Sequence, residues 1–185
     1  MDALAALSLF YSIFVRISGI PLENDHAYGH IVLECPSGFR LHNAHCYRYF
    51  SRRWKRQFAL ADRMCENFNG GKLVSVHAHD ELAFVNSIVD ANESFWIGLT
   101  DLENLTREGR FVWTDGSVVL FDAWAENEPQ NRNSRDCVEA RSDRGWSMAL
   151  SGCGLTEIPF VCKTKACPGS CALSVDAAND ESSFL

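Results

Sequence analysis

The side chains most able to carry binding chemistry lie between Trp124 and Cys162, where acids, amides and a proline are crowded together. The run from Trp124 to Gln130 precedes a polar stretch, and it lacks the apolar periodicity of a helix or a strand. We therefore predict a shaped loop in which Glu128 and Gln130 face solvent or a ligand. Tryptophans and cysteines at its edges would fix its form.

Motifs of common enzymes do not occur in the sequence. It contains no Gly-x-Ser-x-Gly, no His-Glu-x-x-His and no phosphate-binding loop, and pairs of acids alone do not define an active site. A formal charge of -7 over 185 residues disfavours general nucleic-acid binding. We predict a non-catalytic protein without a nucleic-acid partner.

Eight cysteines are the second informative feature of the composition. Their number is even, their spacing is wide and no Cys-x-x-Cys pair occurs, so structural disulfides in an oxidising compartment are favoured over zinc binding or redox chemistry. With 46% hydrophobic residues, the chain can bury one ordinary globular core.

The N-terminal run of residues 3–20 is apolar except for Arg16. We predict a signal peptide at residues 1–19 and therefore a secreted, extracellular protein, although the n-region carries Asp2 and no basic residue. An uncleaved membrane anchor is the alternative, which a charge within so short a span disfavours. In a secreted chain, the sequons at Asn92 and Asn104 would be glycosylation candidates.

Two amphipathic helices and several short strands would position the loop, which predicts an α+β fold. The first helix is indicated by Trp54, Phe58, Ala61, Cys65 and Phe68 at helical spacing, and the second begins at Asp80-Glu81, whose acids suit a helix N-terminus. The predicted strands and hairpins are a hairpin ending at Cys46–Phe50, strands at 72–76 and 95–99, a hairpin at 111–121 through Asp115-Gly116, and strands at 137–140, 145–149 and 160–163.

In their order and spacing these residues resemble the C-type lectin-like domain, in its long form with an extra N-terminal disulfide. The agreement covers residues 35–163, about 70% of the chain, with residues 20–34 as a short linker and residues 164–185 as a flexible tail. The residues that carry it are Cys35, Cys46, Cys65, Trp96-Ile97-Gly98-Leu99, Glu128-Pro129-Gln130, Cys137, Cys153 and Cys162.

The resemblance implies two helices, two small antiparallel sheets and a long loop region stapled by disulfides. It also implies the pairs Cys35–Cys46, Cys65–Cys162 and Cys137–Cys153, and a cis bond before Pro129. Cys167 and Cys171 are left to pair locally or with another chain, which would give a disulfide-linked dimer.

In sugar-binding members, calcium is held by a Glu-Pro-Asn type loop, an acid before the next cysteine and an Asn-Asp pair after a tryptophan. Here Gln130, Arg135 and Ser147-Met148 occupy those places. Since calcium requires six to eight oxygen ligands, we expect no cofactor and a degenerate primary site. Asp101, Glu108 and Glu128 are the remaining metal candidates, and Asn131 resembles a further ligand of the auxiliary site.

The predicted function is that of a secreted recognition protein that binds carbohydrate or an extracellular protein. Two alternatives stay open, a protein-only binder such as a toxin-like or inhibitory subunit, and a receptor ectodomain anchored by residues 3–20. The predicted ligand-binding residues are Glu128, Pro129, Gln130, Asn131, Asp136 and Trp146.

Overall fold

The computed structural model describes residues 32–101, 109–130, 135–150, 152–169 and 171. The predicted signal peptide, Asn104, Glu108 and Asn131 lie outside these residues. In chain order the elements are β1 (Leu33–Glu34), β2 (Arg40–His42), β3 (His45–Phe50), a 3-10 turn (Arg52–Trp54), α1 (Phe58–Glu66), β4 (Lys72–Leu73), α2 (His79–Ile88), β5 (Phe95–Thr100), β6 (Val112–Trp113), β7 (Cys137–Arg141), β8 (Gly145–Met148), β9 (Phe160–Lys165) and β10 (Cys167–Pro168).

Eight strands form one sheet in the order β2-β3-β9-β5-β7-β8, with β4 beside β9 and β6 beside β5. Among the paired strands that the structure describes, only β5 and β9 run parallel, and β1 and β10 form a separate antiparallel pair. The α+β class and the two helices are confirmed. The two small sheets of the prediction are instead one large sheet and one pair, because β9 joins strands from both halves of the domain.

Both faces of the sheet are covered, and β5 is buried along its whole length. One core cluster contains Trp113 and Trp146 and packs against α2, whereas the other contains Trp96 and packs against α1. The first helix buries Phe58, Ala61 and Cys65 at helical spacing, as predicted. Trp54 lies before this helix. The backbone amide and carbonyl of Arg56 both form hydrogen bonds with the backbone of Ile158, so the helix begins only at Phe58.

The predicted hairpin at residues 111–121 does not form. Its Asp-Gly turn is present, with Asp115 Oδ1 accepting from the Ser117 amide at 2.8 Å. However, β6 pairs with β5 and not with the chain after the turn, so residues 117–121 follow an irregular path. Leu120 is 88% exposed on that path, while Phe121 packs against the core.

The ordered domain extends beyond the predicted boundaries on both sides. Leu33 and Glu34 were assigned to the linker but form β1, which pairs with β10 inside the predicted tail. Thr164 and Lys165 complete β9, and Gly169 donates its amide to Val32 O at 3.0 Å. The described part of the tail is therefore held to the domain.

All eight cysteines lie within the described residues and all are paired. The bonds are Cys35–Cys46, Cys65–Cys162, Cys137–Cys153 and Cys167–Cys171. The three pairs implied by the family resemblance are thus present. Local pairing of Cys167 with Cys171 leaves no free thiol for a disulfide-linked dimer.

Candidate functional site

The loop of residues 124–130 is fixed to the sheet by β8. Trp146 donates its amide to Ala123 O and accepts from the Ala125 amide, both at 2.9 Å. Gly145 makes this approach possible, since its φ is +91° and an added Cβ would lie 2.5 Å from Ala123 O. A glycine at this position lets the 124–130 loop lie directly against the strand.

Replacing Gly145 by alanine is expected to lower the free energy of unfolding by about 2–4 kcal/mol, from backbone strain and the clash with Ala123 O. Gly116→Ala is the matched control for strain alone, because its φ is +77° with open space around it. That control should cost about 1 kcal/mol. Urea unfolding curves measure the stability of both variants. An equal loss of unfolding free energy in the two would show that the clash with Ala123 O costs nothing beyond the backbone strain.

The buried ring of Trp146 packs against Trp124 at the start of the 124–130 loop. It is fully buried, with ring centroids 5.7 Å from Trp113, 5.9 Å from Phe121 and 6.1 Å from Trp124. The edge-on packing of these rings forms a rigid aromatic base. The prediction that Trp146 contacts a ligand is therefore wrong, because its side chain faces the core.

Glu128 has its carboxylate turned back onto the backbone. The Glu128–Pro129 peptide is cis, as the resemblance implies. Glu128 Oε2 accepts from the Gln130 amide at 2.8 Å and from the Met148 amide at 3.2 Å. The half-buried carboxylate thus ties the loop to β8, while Pro129 and Gln130 are exposed. The loop presents these two residues to solvent.

Glu139 is a second acid of this region that sequence reasoning missed. It lies on β7 between buried Val138 and Ala140, and Ser94 Oγ donates to its Oε1 at 3.3 Å. Burial raises the pKa of Glu139, and the charge of Glu128 raises it further. The available signal in the sequence was an acid between the apolar residues Val138 and Ala140 of a strand, since a carboxylate at such a position needs hydrogen-bond donors.

Asp101 and Asp136 lie next to each other at the end of β5. The Asp101 amide donates to Asp136 O at 3.0 Å, and Thr100 Oγ1 donates to the same oxygen at 2.6 Å. Burial raises the pKa of Asp136, and the nearby charge of Asp101 adds to the effect. Asp101 is 4% exposed and its Oδ2 accepts from the Gly109 amide at 2.9 Å. These contacts use the backbone carbonyl of Asp136 and not its carboxylate, so its role as a ligand-binding residue stays a prediction.

Comparison with known proteins decides the family. The sequence profile described as Lectin C-type domain matches residues 54–164, more than half of the chain. The chain belongs to the C-type lectin domain family. Lithostathine from Rattus norvegicus is 32% identical over 138 residues, which cover 72% of this chain and 81% of that protein.

Two solved structures have the same fold as this chain. A calcium-independent type II antifreeze protein is 27% identical with a TM-score of 0.65, covering 75% of this chain and 99% of that one. The cow carbohydrate-recognition domain of CD23, solved in the presence of a GlcNAc2Man3 oligosaccharide, is 27% identical with a TM-score of 0.64. The match covers 74% of this chain and 99% of that one. These likenesses confirm the fold predicted from the sequence.

The primary calcium position of the C-type lectin-like domain does not fit this donor set. Met148 is 1% exposed, so its side chain lies in the core and offers no oxygen. Arg135 places a cation where the family has an acid, and Glu128 Oε2 already accepts two amide protons. Calcium needs six to eight oxygens, and these three positions supply few of them, so the degenerate primary site stays a prediction.

The auxiliary metal site stays a prediction, since Glu108 and Asn131 lie outside the described residues. Among the residues that are described, Asp101 Oδ1 has no hydrogen-bond partner. No group of three or more His, Cys, Asp or Glu side chains that could hold a metal ion occurs in this part of the chain.

Two further sequence predictions concern the cellular setting of this C-type lectin-like domain. Asn92 is exposed in a turn with φ of +62°, where a glycan would meet no core residue. Its use as a glycosylation site stays a prediction. No helix in the described ranges is long and apolar enough to cross a membrane.

Proposed function

We propose that this chain is a secreted, non-catalytic recognition protein whose 124–130 loop binds a carbohydrate or an extracellular protein without calcium at the primary position. The observation that carries the proposal is the Glu128 carboxylate, which accepts amide protons from Gln130 and Met148. These bonds hold the loop in place and occupy an oxygen that calcium would need.

The exposed residues of the loop suit recognition by direct contact. Pro129 and Gln130 stand out from a base that Trp146 and β8 hold fixed. Since the base is already ordered, little conformational entropy is lost on binding. The calcium-independent type II antifreeze protein supports the proposal, because it has a similar fold and is independent of calcium.

A second candidate function is the receptor ectodomain anchored by residues 3–20. Mass spectrometry of the mature protein separates it from the secreted form, because a chain that starts beyond Gly19 has lost the anchor. The protein-only binder is the third candidate, which shares the loop but has no sugar ligand.

Ligand binding is expected to be unaffected by a calcium chelator and to weaken about tenfold in Gln130→Ala, which loses hydrogen bonds at the contact. A glycan array and an array of extracellular proteins, each with and without chelator, provide the ligand and the measurement. Glu157→Ala, an exposed change outside the loop, is the control. Loss of binding on chelation, or an equal loss in both variants, would contradict the proposal. Binding to proteins alone would favour the protein-only candidate.

A further inference from the structure

A second concave surface, the lysine groove, lies where β3, β4 and β9 run side by side and face the turn at Asp115. It encloses about 800 Å³, within the size range of small-molecule sites. In the part of the chain that the structure describes, the ionisable side chains lining the lysine groove are five bases and one acid, namely His45, Lys72, His77, Lys163, Lys165 and Asp115.

Strand register places the basic residues on one face of the sheet. Lys72 is paired with Lys163 across β4 and β9, and His45 is paired with Lys165 across β3 and β9. Residues directly opposite one another project to the same side of a sheet, and so do residues two apart on one strand. These four side chains therefore share one face.

Two of the three lysines are already engaged. Lys163 Nζ donates to Ser75 O at 3.0 Å, to Ser75 Oγ at 3.3 Å and to Glu81 Oε1 at 2.6 Å, so all of its protons are used. Lys72 Nζ donates to two acids on α1, Asp62 and Glu66. These lysines shape the wall of the groove.

Lys165 differs from them, because it is exposed and forms no ion pair with any described residue. With respect to the described residues, its ammonium group keeps three protons for a ligand. His45 forms a hydrogen bond between its Nδ1 and Asn43 O at 3.1 Å, and it also lines the groove. The groove thus offers one uncompensated cation with polar groups around it.

The opposite wall is polar but does not form a hydrolase site. Asp115 accepts the hydroxyl protons of Ser75 and Ser117, and both hydroxyls also contact His77 Nε2, at 3.1 and 3.2 Å. In a serine hydrolase the carboxylate orients the imidazole, which takes the serine proton. Here the carboxylate holds those protons itself, and Ser75 is 1% exposed. This wall can bind hydroxyl groups and has no activated nucleophile.

We propose that the lysine groove binds an acidic saccharide, with its sulfate or carboxylate group on Lys165 and its hydroxyl groups on the surrounding polar side chains. A single free ammonium group matches a single anionic group, and the lining side chains offer hydrogen-bond partners to the hydroxyl groups of a saccharide. The groove is built on β3, β4 and β9, whereas the 124–130 loop lies on β8 at the end of the sheet order. The inference therefore does not depend on the function proposed for that loop.

Titration of the isotope-labelled full chain, followed by NMR, tests the inference. The probes are N-acetylglucosamine 6-sulfate, glucuronic acid, neutral N-acetylglucosamine and inorganic sulfate. We expect an acidic sugar to shift the amide signals of His45, Gly70, Gly116 and Lys165, and higher salt to weaken its binding. Equal binding of the neutral sugar or of inorganic sulfate, or signal shifts confined to residues 124–130, would overturn the proposal.

Variants make the test specific to the groove. Lys165→Ala is expected to raise the Kd of the acidic sugar about tenfold, since it removes a charge-assisted hydrogen bond. Arg53→Ala removes the same charge from an exposed residue outside the groove and should change the Kd less than about twofold. Gln130→Ala should leave this binding unchanged, which separates the groove from the loop. An unaffected Kd in Lys165→Ala with an unchanged unfolding curve would refute the assignment.

Discussion

Replacing both Cys65 and Cys162 by alanine is expected to lower the free energy of unfolding by about 4–5 kcal/mol. The bond joins residues 97 positions apart, and both cysteines are fully buried. In the chain-entropy account, a crosslink that closes a loop of about 100 residues lowers the conformational entropy of the unfolded chain, which stabilises the folded state by about 4.7 kcal/mol. Many domains have a total stability of only about 5–15 kcal/mol, so this variant would be close to unfolding.

Cys167→Ala/Cys171→Ala is the control for this prediction. Its bond spans a separation of four residues, and the same account gives a loss of about 2 kcal/mol. Urea unfolding of both variants, with wild type alongside, measures the difference. Equal losses in the two variants would show that loop length does not govern how these bonds stabilise the domain.

Replacing Lys163 by methionine is expected to cost about 3–5 kcal/mol, because it leaves a buried carboxylate without its cation. Lys163 and Glu81 have side chains only 9% and 10% exposed and lie 2.6 Å apart. Glu81 also accepts from Tyr47 OH at 2.6 Å and from the His77 amide at 2.8 Å. The pair thus connects β9, α2 and β3.

A double-mutant cycle isolates this pair. Glu81→Met and Lys163→Met should each destabilise strongly, whereas the double variant should lose less than their sum, since no charge is left buried alone. Arg52→Met, which removes the exposed partner of Glu93, should change stability by less than about 1 kcal/mol. Additive losses in the cycle would contradict the prediction.

The same pair predicts how stability depends on pH. Burial acts to raise the pKa of Glu81, but the hydrogen bonds from Lys163, Tyr47 and the His77 amide outweigh it and hold the pKa below its ordinary value. A lowered folded pKa stabilises the protein above the unfolded value of about 4.3. That stability is lost as the pH falls through the folded pKa. The free energy of unfolding of Glu81→Met should therefore fall less steeply on acidification than that of wild type. Parallel curves of unfolding free energy against pH would contradict this prediction.

The fold was largely predictable because its strongest signals are local or covalent. The helical spacing of Phe58, Ala61 and Cys65 defines a buried face whichever partner covers it. The resemblance supplied the disulfide pairs and the cis bond before Pro129. The prediction of a hairpin at residues 111–121 was wrong because strand pairing is not a local property. The Asp-Gly signal predicts the turn but not that β6 will pair with β5.

The candidate site was less predictable, because its contacts join distant parts of the chain. Glu81 fits a helix N-terminus in the sequence, yet its main partner is Lys163, 82 residues away. The apolar neighbours of Trp146 in the sequence indicate a core residue, and the packing shows that its side chain faces inward and not toward a ligand. Lys165 becomes distinctive only once β3 and β9 are placed side by side.

The pairing of β1 with β10 has a mechanical consequence. It brings together the points where the chain enters and leaves the domain, so tension on the two ends first separates this short ladder. Beyond it, the covalent path runs through Cys35–Cys46, along α1 to Cys65 and across to Cys162. The residues between Cys65 and Cys162, including the 124–130 loop, lie off that path. The loop can therefore keep its shape while the ends of the domain are pulled apart.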